Sequence, residues 1–397
     1  MKTAVFSVLS QSVHDMMERG FPKQEFEART SRAQALMAKR GIDALLLTSE
    51  PDVRYFTGFL TRFWESPARP WFIVVPATGK PIAVIPSIGA ALMATTWIED
   101  IRTWRAPDLT DDGVSLLSDT LKECVGSSGR VGIPAGHESH VRMPMSDFDR
   151  LKTMIAPIEI VSDESIVRSL RIVKSSREVE KIETAVQIAG RTFARVHEFA
   201  KKGATLDDVF RRFQMTCLDE GADFVPYLAG GAGQSGYGDV ISPAGPQQLQ
   251  DGDILMLDTG LIWDGHYSDY DRNFAVGTPD PRANDAHKKL IEATQAAFAI
   301  SKPGTTAADL FHAMDDVLQS GSDAGRLGHG LGTQLTEWPS IIPDDHTEML
   351  EGMVMTLEPG IEVLDGRIMV HEENIVITNN GARWLSTLAA PDLPIIG

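Results

Sequence analysis

Hydrophobic and polar residues alternate with both helical and strand-like periods in the first part of the chain. Apolar side chains recur with helical spacing over 25–40, which predicts an amphipathic helix. Short β-rich apolar runs at 44–47, 71–76 and 82–86 predict buried strands. Because helical and strand patterns alternate, the sequence predicts an α/β domain over 1–160.

A second domain is predicted over 165–397, and it begins with two helices. In the first helix, which starts near residue 175, apolar positions recur in steps of three and four residues as far as 201–203. The second helix is predicted to end near Gly221. Each helix has a candidate capping box at its start, formed by Ser175 with Glu178 and by Thr205 with Asp208.

A β-hairpin with clustered acids is the most specific local pattern in this second domain. Asp264 and Gly265 separate two apolar, β-rich arms, and an Asp-Gly pair in that setting predicts a type I′ turn. Counting outward from the turn puts Asp258 opposite Asp271 and on the same face as Asp269. Three such carboxylates predict a metal site, because like charges repel unless a cation lies among them. A solvated acidic hairpin is the alternative interpretation.

Three stretches of the second domain recur about 100 residues later in the chain. KGATLDDVF, YLAGGAGQ and GDILMLDTG match PGTTAADLF, LGHGLGTQ and GMVMTLEPG at offsets of 101, 100 and 100 residues. A steady offset indicates a duplicated unit of helices and antiparallel strands, related by a pseudo-two-fold axis. The match puts Glu358 where Asp258 stands in the first copy, so the two acids are expected to meet in the middle.

The two copies differ at residues that can bind metals. His329 replaces an alanine of the first copy inside the glycine-rich GHGLG, and its registration with the acids favours a ligand over the structural role usual for a lone histidine. The HEEN run adds Glu372 and Glu373. A turn at 365–366 pairs Glu358 with Glu373 in simple register, so either Glu373 is the inward acid or a β-bulge shifts the count.

Charge and cysteine content restrict the partners and the compartment. The 37 basic and 55 acidic residues give a net charge of −18, which argues against nucleic acid and anionic membranes as partners. Only two cysteines occur, Cys124 and Cys217, so we expect no disulfide framework and a reducing compartment. The sequence has no apolar run of membrane-spanning length and no signal-peptide pattern in residues 1–17. We therefore expect a cytoplasmic protein.

These motifs resemble those of the creatinase, aminopeptidase P and methionine aminopeptidase superfamily, whose catalytic domain has the pita-bread fold. The hairpin, GHGLG, TLEPG and HEEN carry the resemblance, together with the stretch at 167–186. YFTGF and the strand before it resemble the N-terminal domain of the creatinase and prolidase branch. The resemblance favours Glu372 over Glu373 and so predicts a bulge in the second hairpin. It implies five metal ligands, namely Asp258, Asp269, His329, Glu358 and Glu372.

This ligand set suits hydrolysis with two divalent cations. Hard oxygen donors with one imidazole favour manganese, with cobalt, zinc or iron as substitutes. Two metal ions that share a water lower its pKa enough to supply a bridging hydroxide near neutral pH. Glu358 is expected to accept the proton of this water and donate it later. The resemblance implies hydrolysis of Xaa-Pro bonds in small peptides, by an aminopeptidase or dipeptidase that forms a homodimer.

Two histidines of the resembled peptidases are replaced in this chain. Ile241, seventeen residues before the first Asp ligand, and Thr336, seven residues after His329, stand where those enzymes bind substrate through histidine. Asp271 stands where the family often has Thr, and it is a candidate extra ligand, orienting residue or counter-ion for a cationic substrate. Candidate substrate contacts near the replaced positions are Asp239, Ser242, Thr336 and Trp338.

An aromatic and basic cluster in the first domain offers further candidate substrate contacts. The cluster starts at YFTGF, in a segment that the sequence places in a loop, and includes Arg62 and Trp64. In a homodimer this loop is expected to reach the site of the neighbouring subunit. Core packing is the alternative interpretation, because aromatic clusters usually form core and only sometimes anchor an interface.

Three functions follow from these patterns. The ligand set favours a dinuclear-metal hydrolase that cleaves a peptide-like C–N bond, most simply an Xaa-Pro peptidase. The replaced histidines favour a non-peptidase member that acts on a small cationic or zwitterionic metabolite, like dimethylsulfoniopropionate lyase or creatinase. Creatinase works without metal, and the extra acid of the lyase is Gly260 here, which weakens this alternative. A binding module without catalysis has no need of five intact ligands.

Overall fold

The computed structural model describes two compact units. The described residues are 18–66, 69–319, 325–364 and 366–397. The chain divides between Arg171 and Ile172. The helix Ile166–Arg171 therefore belongs to the first unit, whereas the sequence predicts a second domain from residue 165 onward.

Two sequence-based predictions concern residues that lie outside the described ranges. They are the absence of a signal peptide, which concerns residues 1–17, and the turn at 365–366, of which residue 365 is not described. Among the helices that are described, none is both long and apolar enough to cross a membrane.

The first unit is a six-stranded mixed sheet with helices packed on both faces. Its strands are β1 (Ala44–Leu47), β2 (Phe72–Pro76), β3 (Ile82–Pro86), β4 (Asp100–Trp104), β5 (Arg130–Ile133) and β6 (Glu159–Ser162), in the order β4-β3-β2-β1-β5-β6. Its helices are α1 (Lys23–Arg40), α2 (Glu50–Thr57), α3 (Ala90–Met93), α4 (Val114–Val125), α5 (Met145–Ile155) and α6 (Ile166–Arg171). Leu45 and Leu47 pack in a core shared with α1, α2 and α6, whereas Ala44 and Leu46 pack in one shared with α4 and α5.

The periodic stretches of the first unit fold as predicted, but the aromatic cluster does not. β1 and β3 match the predicted strands, and β2 and α1 differ from prediction by one or two residues at their starts. The prediction of a loop at YFTGF is wrong, because most of it forms the end of α2, which Gly58 caps in a left-handed conformation (φ 75°). Nearly every residue of α2 is buried, so no polar face indicates this helix in the sequence.

The second unit contains two five-stranded sheets and a two-stranded ribbon among its described residues. Its helices are α7 (Ser176–Ala194), α8 (Leu206–Asp219), α9 (Pro281–Ile300) and α10 (Ala307–Leu318). Its strands are β7 (Phe224–Gln234), β8 (Asp253–Trp263), β9 (His266–Tyr267), β10 (Tyr270–Val276), β11 (His329–Gly330), β12 (Glu337–Ser340), β13 (Val354–Leu357), β14 (Gly360–Leu364), β15 (Arg367–Val370), β16 (Glu373–Thr378), β17 (Gly381–Trp384) and β18 (Ile395–Ile396). α7 ends before the predicted stop at 201–203, because a 3₁₀ turn at Val196–Glu198 follows it.

The order of the strands confirms the duplication predicted from the 100-residue offset. In one sheet β8 lies between β7 and β10, and in the other β13 lies between β11 and β16, with antiparallel pairing throughout. Backbone hydrogen bonds recur as well: Gly203 N donates to Leu249 O (2.8 Å), and Gly304 N donates to Met349 O (3.0 Å). Each copy therefore has one central strand, and these two strands bring the paired acids into the interior.

Only one of the two predicted capping boxes forms. Ser175 and Glu178 make both reciprocal hydrogen bonds at the start of α7, which confirms that box. The box predicted at Thr205 is wrong, because the Thr205 hydroxyl donates to the side chain of Asp207 and makes no capping bond. Its counterpart in the second copy, Thr306, does form a full capping box.

Candidate metal centre

β8 and β10 form the predicted hairpin, with Asp264 and Gly265 at its tip. Both tip residues have positive φ, 45° and 77°, as a type I′ turn requires. Asp258 pairs with Asp271 across the strands, which confirms the predicted register. Since side chains alternate along a strand, both carboxylates lie on the same face of the hairpin, with Asp269 next to them.

The first two acids of the hairpin are held by specific hydrogen bonds. The Tyr227 hydroxyl donates to Oδ2 of Asp258 (3.0 Å), while Oδ1 of Asp258 is buried without a hydrogen-bond partner. Asn374 Nδ2 donates to the backbone carbonyl of Asp269, and Asp269 N donates to Oδ1 of Asn374 (3.3 Å). These bonds fix where the two acids lie and leave carboxylate oxygens available to a further group.

A bulge in the ribbon β14–β15 sets the register of the second pair of acids. The pairing shifts between Glu362 and Leu364, so the predicted bulge is confirmed. His371 N then donates to the carbonyl of Pro359 (3.1 Å). On the other side, Leu357 pairs with Glu373. Glu372 therefore lies opposite Glu358.

Glu373, the other candidate inward acid, is occupied by a buried ion pair. Arg272 Nη2 donates to both of its carboxylate oxygens (3.0 and 2.9 Å), and Ser386 Oγ and Ala389 N donate to the same group. Burial acts to raise the pKa of Glu373, but Arg272, His371 and Ser386 lower it to about 2. Glu373 is therefore a structural anion, and the inward position belongs to its neighbour Glu372.

Asp269, His329 and Glu372 form a buried cluster with the donor atoms of a metal site. One ligand atom of each lies within 4.8 Å of the other two. His329 Nε2 is 3.4 Å from Oδ2 of Asp269, and His329 Nδ1 lies 2.8 Å from the carbonyl of Gly330. Since a carbonyl can only accept, Nδ1 carries the hydrogen, and Nε2 therefore presents its lone pair as a ligand atom for a cation.

The buried carboxyl groups of the cluster would be stabilised by a cation. Burial raises the pKa values of Asp258, Asp269 and Glu372 well above the usual range, and neighbouring carboxylates raise those of Asp258 and Glu372 further. Oε1 of Glu372, like Oδ1 of Asp258, is buried without a hydrogen-bond partner. Buried acids without partners are costly unless a cation binds them. The side chains present therefore fit divalent metal ions.

Glu358 lies beside this cluster and is less deeply buried than the other acids. Burial raises its pKa, the charge of His329 opposes that change, and Asp269 adds to it. Glu358 also raises the pKa of Asp258 and Glu372. The five residues predicted as ligands therefore lie in one electrostatically linked group.

Asp271 is the third acid of the hairpin face and the least satisfied. Its side chain is 1% exposed, and neither carboxylate oxygen has a hydrogen-bond partner. Nδ1 of His371 lies 4.0 Å from its Oδ1. Burial raises the pKa of Asp271 well above the usual range, and the charge of Asp258 raises it further. Asp271 is therefore a buried carboxyl group next to the predicted metal ligands.

The segment that contains two candidate substrate contacts is a self-contained turn. Asp239 accepts hydrogen bonds from Ile241 N (3.0 Å), Ser242 N (2.8 Å) and Ser242 Oγ (2.8 Å). Ile241, which replaces a family histidine, is 78% exposed. Ser242 O accepts from Gly230 N (3.4 Å), which attaches the turn to β7. Asp239 thus makes three hydrogen bonds inside the turn.

The other replaced histidine lies in a segment held by a buried ion pair. Thr336 is half-buried and precedes Glu337, whose carboxylate accepts from Thr333 N (2.9 Å) and binds Lys174 Nζ (3.0 Å). Trp338 is half-buried and packs against the core that contains α9 and α10. The ion pair fixes the conformation of this segment. The Glu337 carboxylate is used by these contacts and does not take the place of the missing histidine.

Trp64 packs as core in the first unit. Its ring centroid lies 6.1 Å from that of Trp71, and the guanidinium carbon of Arg142 lies 5.3 Å from the ring. Trp64 joins the core shared with α1 and α2, whereas Arg62 is exposed. These contacts support the core-packing alternative for Trp64.

Tyr227, whose hydroxyl donates to Oδ2 of Asp258, was not predicted from the motifs. A signal for it exists in the first copy of the repeat, because YLAGGAGQ forms β7 and pairs with β8. Ala229 pairs with Asp258 in that register, so Tyr227, two residues away, lies on the same face. Only the strand pairing reveals this relation.

Comparisons with known proteins agree with this geometry. The model of metallopeptidase family M24 matches residues 180–380, and that of the creatinase/prolidase N-terminal domain matches residues 29–173. The chain is 30% identical to a probable dipeptidase PepE of Mycobacterium tuberculosis over 92% of its length and 96% of the relative. It is 26% identical to an Xaa-Pro dipeptidase of Pyrococcus horikoshii, over 88% of this chain and 94% of the relative.

A solved structure supports the same assignment. The crystal structure of dipeptidase PepE from Mycobacterium ulcerans superposes with a TM-score of 0.81, at 27% identity, over 95% of this chain and 99% of that one. The duplicated second unit is thus a pita-bread domain, preceded by a creatinase-like α/β domain. The chain belongs to metallopeptidase family M24 and is a metal-dependent hydrolase.

Proposed function

We propose that this chain is a dinuclear-metal peptidase that hydrolyses Xaa-Pro bonds in small peptides. The observation that carries the proposal is the buried cluster of Asp269, His329 and Glu372, with an unpaired oxygen on Glu372. Asp258 and Glu358 complete a five-ligand set for two ions. The names of the relatives, Xaa-Pro dipeptidase and dipeptidase PepE, support a peptide substrate.

The residues of the centre have distinct proposed tasks in this reaction. When bound, two divalent ions supply a water of lowered pKa and polarise a carbonyl. Glu358 takes the proton of the attacking water and passes it to the leaving nitrogen, and burial raises the pKa of its carboxyl above the usual value. Tyr227 holds one oxygen of Asp258 and leaves the other to bind metal. The Gly330 carbonyl orients His329.

The proposal extends to the metal, the cellular compartment and the oligomeric state. Manganese is the proposed metal, because the donors are carboxylate oxygens with a single imidazole. A cytoplasmic location is supported by the two free thiols, Cys124 and Cys217. A homodimer is proposed, in which the loop containing Arg62 lies near the site of the neighbouring subunit.

Metal content and peptide hydrolysis test the proposal together. The purified protein is stripped with a chelator, reloaded with manganese, cobalt or zinc, and analysed for metal per chain. We expect up to two metal ions and hydrolysis of an Xaa-Pro dipeptide or of a longer Xaa-Pro peptide, with the matched Xaa-Ala peptides cleaved more slowly. A folded protein that binds no metal after reloading contradicts the proposal.

A pair of matched variants assigns the activity to the cluster. Asp269→Asn keeps the shape of the side chain and removes one anionic ligand, so metal affinity and turnover are expected to fall at least ~100-fold. Asp285→Asn, on the exposed face of α9, is expected to change neither. If metal binds normally but all the peptides are inert, the non-peptidase alternative is preferred, and creatine and dimethylsulfoniopropionate are the next substrates to assay.

A further inference from the structure

A cavity of about 370 Å³ lies behind β10, on the side of the hairpin that faces away from the acids. Asp271 faces Asp258 on one side of this strand, and because side chains alternate, the residues next to Asp271 point to the other side. The last turn of α7 and the chain segment 387–396 form further walls. The strand residues that line the cavity include Tyr270, Arg272 and Phe274.

One buried wall of the cavity carries an unpaired hydrogen-bond acceptor. His287 lines the cavity and is 1% exposed. Its Nε2 lies 2.9 Å from the carbonyl of Ala390 and therefore carries the hydrogen, while its Nδ1 has no hydrogen-bond partner. Burial lowers the pKa of His287 to about 4, so the ring is neutral near pH 7. A neutral ring in this tautomer offers Nδ1 as an acceptor.

Apolar side chains form much of the rest of the cavity, together with the polar residues His197, Asn273 and Thr387, and the cavity has the size of a small-ligand site. Cavities that bind small molecules start at roughly 300 Å³ and combine apolar walls with a few polar groups. Phe193, Phe274 and Pro394 contribute to the walls. Leu388 and Ile395 also line the cavity and are 48% and 68% exposed. These walls fit an uncharged molecule with an apolar body and a single O–H or N–H donor.

Arg272 connects the cavity to the metal ligands. Its Nη1 donates to the backbone carbonyls of Asp271 (2.6 Å) and Glu372 (3.0 Å), and its Nη2 binds Glu373. A molecule in the cavity that contacts the guanidinium therefore acts on the backbone of a metal ligand without touching the metal. Coupling of this kind is a free energy shared between two sites, and it acts equally in both directions.

We propose that this cavity is an effector site, which binds a small uncharged apolar molecule through a donor to His287 and alters metal binding through Arg272. The binding step stands on the cavity alone. The coupling step rests on the proposed metal centre. Nothing in the peptidase reaction itself requires an occupant in this position, so the site adds a regulatory function to the proposed one.

Phenol and toluene test the binding step, because they share one size and differ in the donor. Titration calorimetry of the metal-free protein is expected to show one phenol per chain and at least ~3-fold weaker binding of toluene. Ala194→Phe, at the rim of the cavity, is expected to weaken phenol binding at least ~10-fold. Ala299→Phe, near the exposed end of α9, is the matched control and should bind phenol normally.

The preference for phenol also has an internal check at the acceptor. His287→Phe keeps a ring of similar size and removes Nδ1, so phenol and toluene should then bind with equal affinity. Equal binding of the two probes to the unmodified protein overturns the proposal. Unchanged phenol affinity in Ala194→Phe overturns it as well, because the probe then binds elsewhere.

The coupling step is measured as a thermodynamic reciprocity. The manganese affinity is determined with and without saturating phenol, and the phenol affinity with and without manganese. The proposal requires a change of at least ~5-fold, with the same factor in both measurements. A factor of one removes the coupling and so overturns the proposal. If manganese does not bind at all, the proposed metal centre fails, while the phenol titrations still decide whether the cavity binds its ligand.

Discussion

Arg272→Met is expected to destabilise the second unit by about 3–5 kcal/mol, because it leaves the buried carboxylate of Glu373 without its cation. The Glu373 side chain is 1% exposed, and Arg272 Nη2 binds both of its oxygens at 3.0 and 2.9 Å. The remaining partners are Ser386 Oγ and Ala389 N, which are neutral, and Nε2 of His371, which lies 3.3 Å from Oε1; burial lowers the pKa of His371. Hydrogen bonds from neutral groups do not balance a full buried charge.

The pKa of Glu373 gives an independent magnitude. Burial acts to raise this pKa, but Arg272 and the other partners lower it from 4.5 to about 2. At 1.36 kcal/mol per pKa unit, this corresponds to about 3 kcal/mol. Because the folded-state pKa is the lower one, this stabilisation is fully present above about pH 4.5 and is lost as the pH falls towards 2. The Arg272→Met protein should lose most of this pH dependence.

The assay must separate the two units, because they need not unfold together. Urea titration of the metal-free protein, read by pulsed hydrogen exchange, follows peptides from β16 for the second unit and from β1 for the first. The exchange of β1 serves as the internal control and should not change. Arg282→Met removes a solvent-exposed ion pair with Asp280 (side chains 56% and 26% exposed) and is expected to leave the stability of the second unit nearly unchanged.

A double variant separates the charge from the packing. Arg272→Met with Glu373→Leu removes both charges, so most of the lost stability should return, because neither ion then remains buried alone. The explanation is refuted if the single Arg272→Met variant loses less than about 1 kcal/mol. It is also refuted if the double variant is less stable than the single one by a further few kcal/mol.

Two further predictions concern the metal ligands and the repeat. Tyr227→Phe removes the hydrogen bond to Asp258 and is expected to lower manganese affinity ~10-fold or more without unfolding the protein, as measured by metal titration and circular dichroism; unchanged affinity contradicts this role. Thr306→Ala should cost about 1 kcal/mol of stability in urea unfolding, because Thr306 caps α10, whereas Thr205→Ala should cost less than ~0.5 kcal/mol, since Thr205 makes no capping bond. Equal losses would contradict the difference between the two copies.

Much of the candidate site could be predicted because its signals are local. The turn at Asp264 and Gly265 has positive φ at both residues, and an Asp-Gly pair is among the few residue pairs that favour this conformation. Once the turn is known, the pairing of Asp258 with Asp271 follows by counting. The repeat offset then identifies Glu358 and His329 by comparison within one sequence.

Other features depend on contacts that no local pattern records. Counting from the second turn selects Glu373, and only the bulge between Glu362 and Leu364 turns Glu372 inward. Arg272 and Glu373 are adjacent to predicted ligands in sequence, yet their pairing spans two strands of the fold. A one-residue shift reverses which side chains face the interior, so residue counting left both acids as candidates, and only the family resemblance favoured Glu372.

The sequence by itself determined the strands and helices with regular apolar spacing, the first hairpin and its register, the duplication, and the residue types of a metal centre. The tertiary structure decided which acid of HEEN points inward, that Tyr227 holds Asp258, and that a cavity lies behind Arg272. The physical reason is the range of the interactions. Turn conformation and side-chain periodicity are set by neighbours along the chain, whereas burial, bulges and ion pairs are set by residues that meet only after folding.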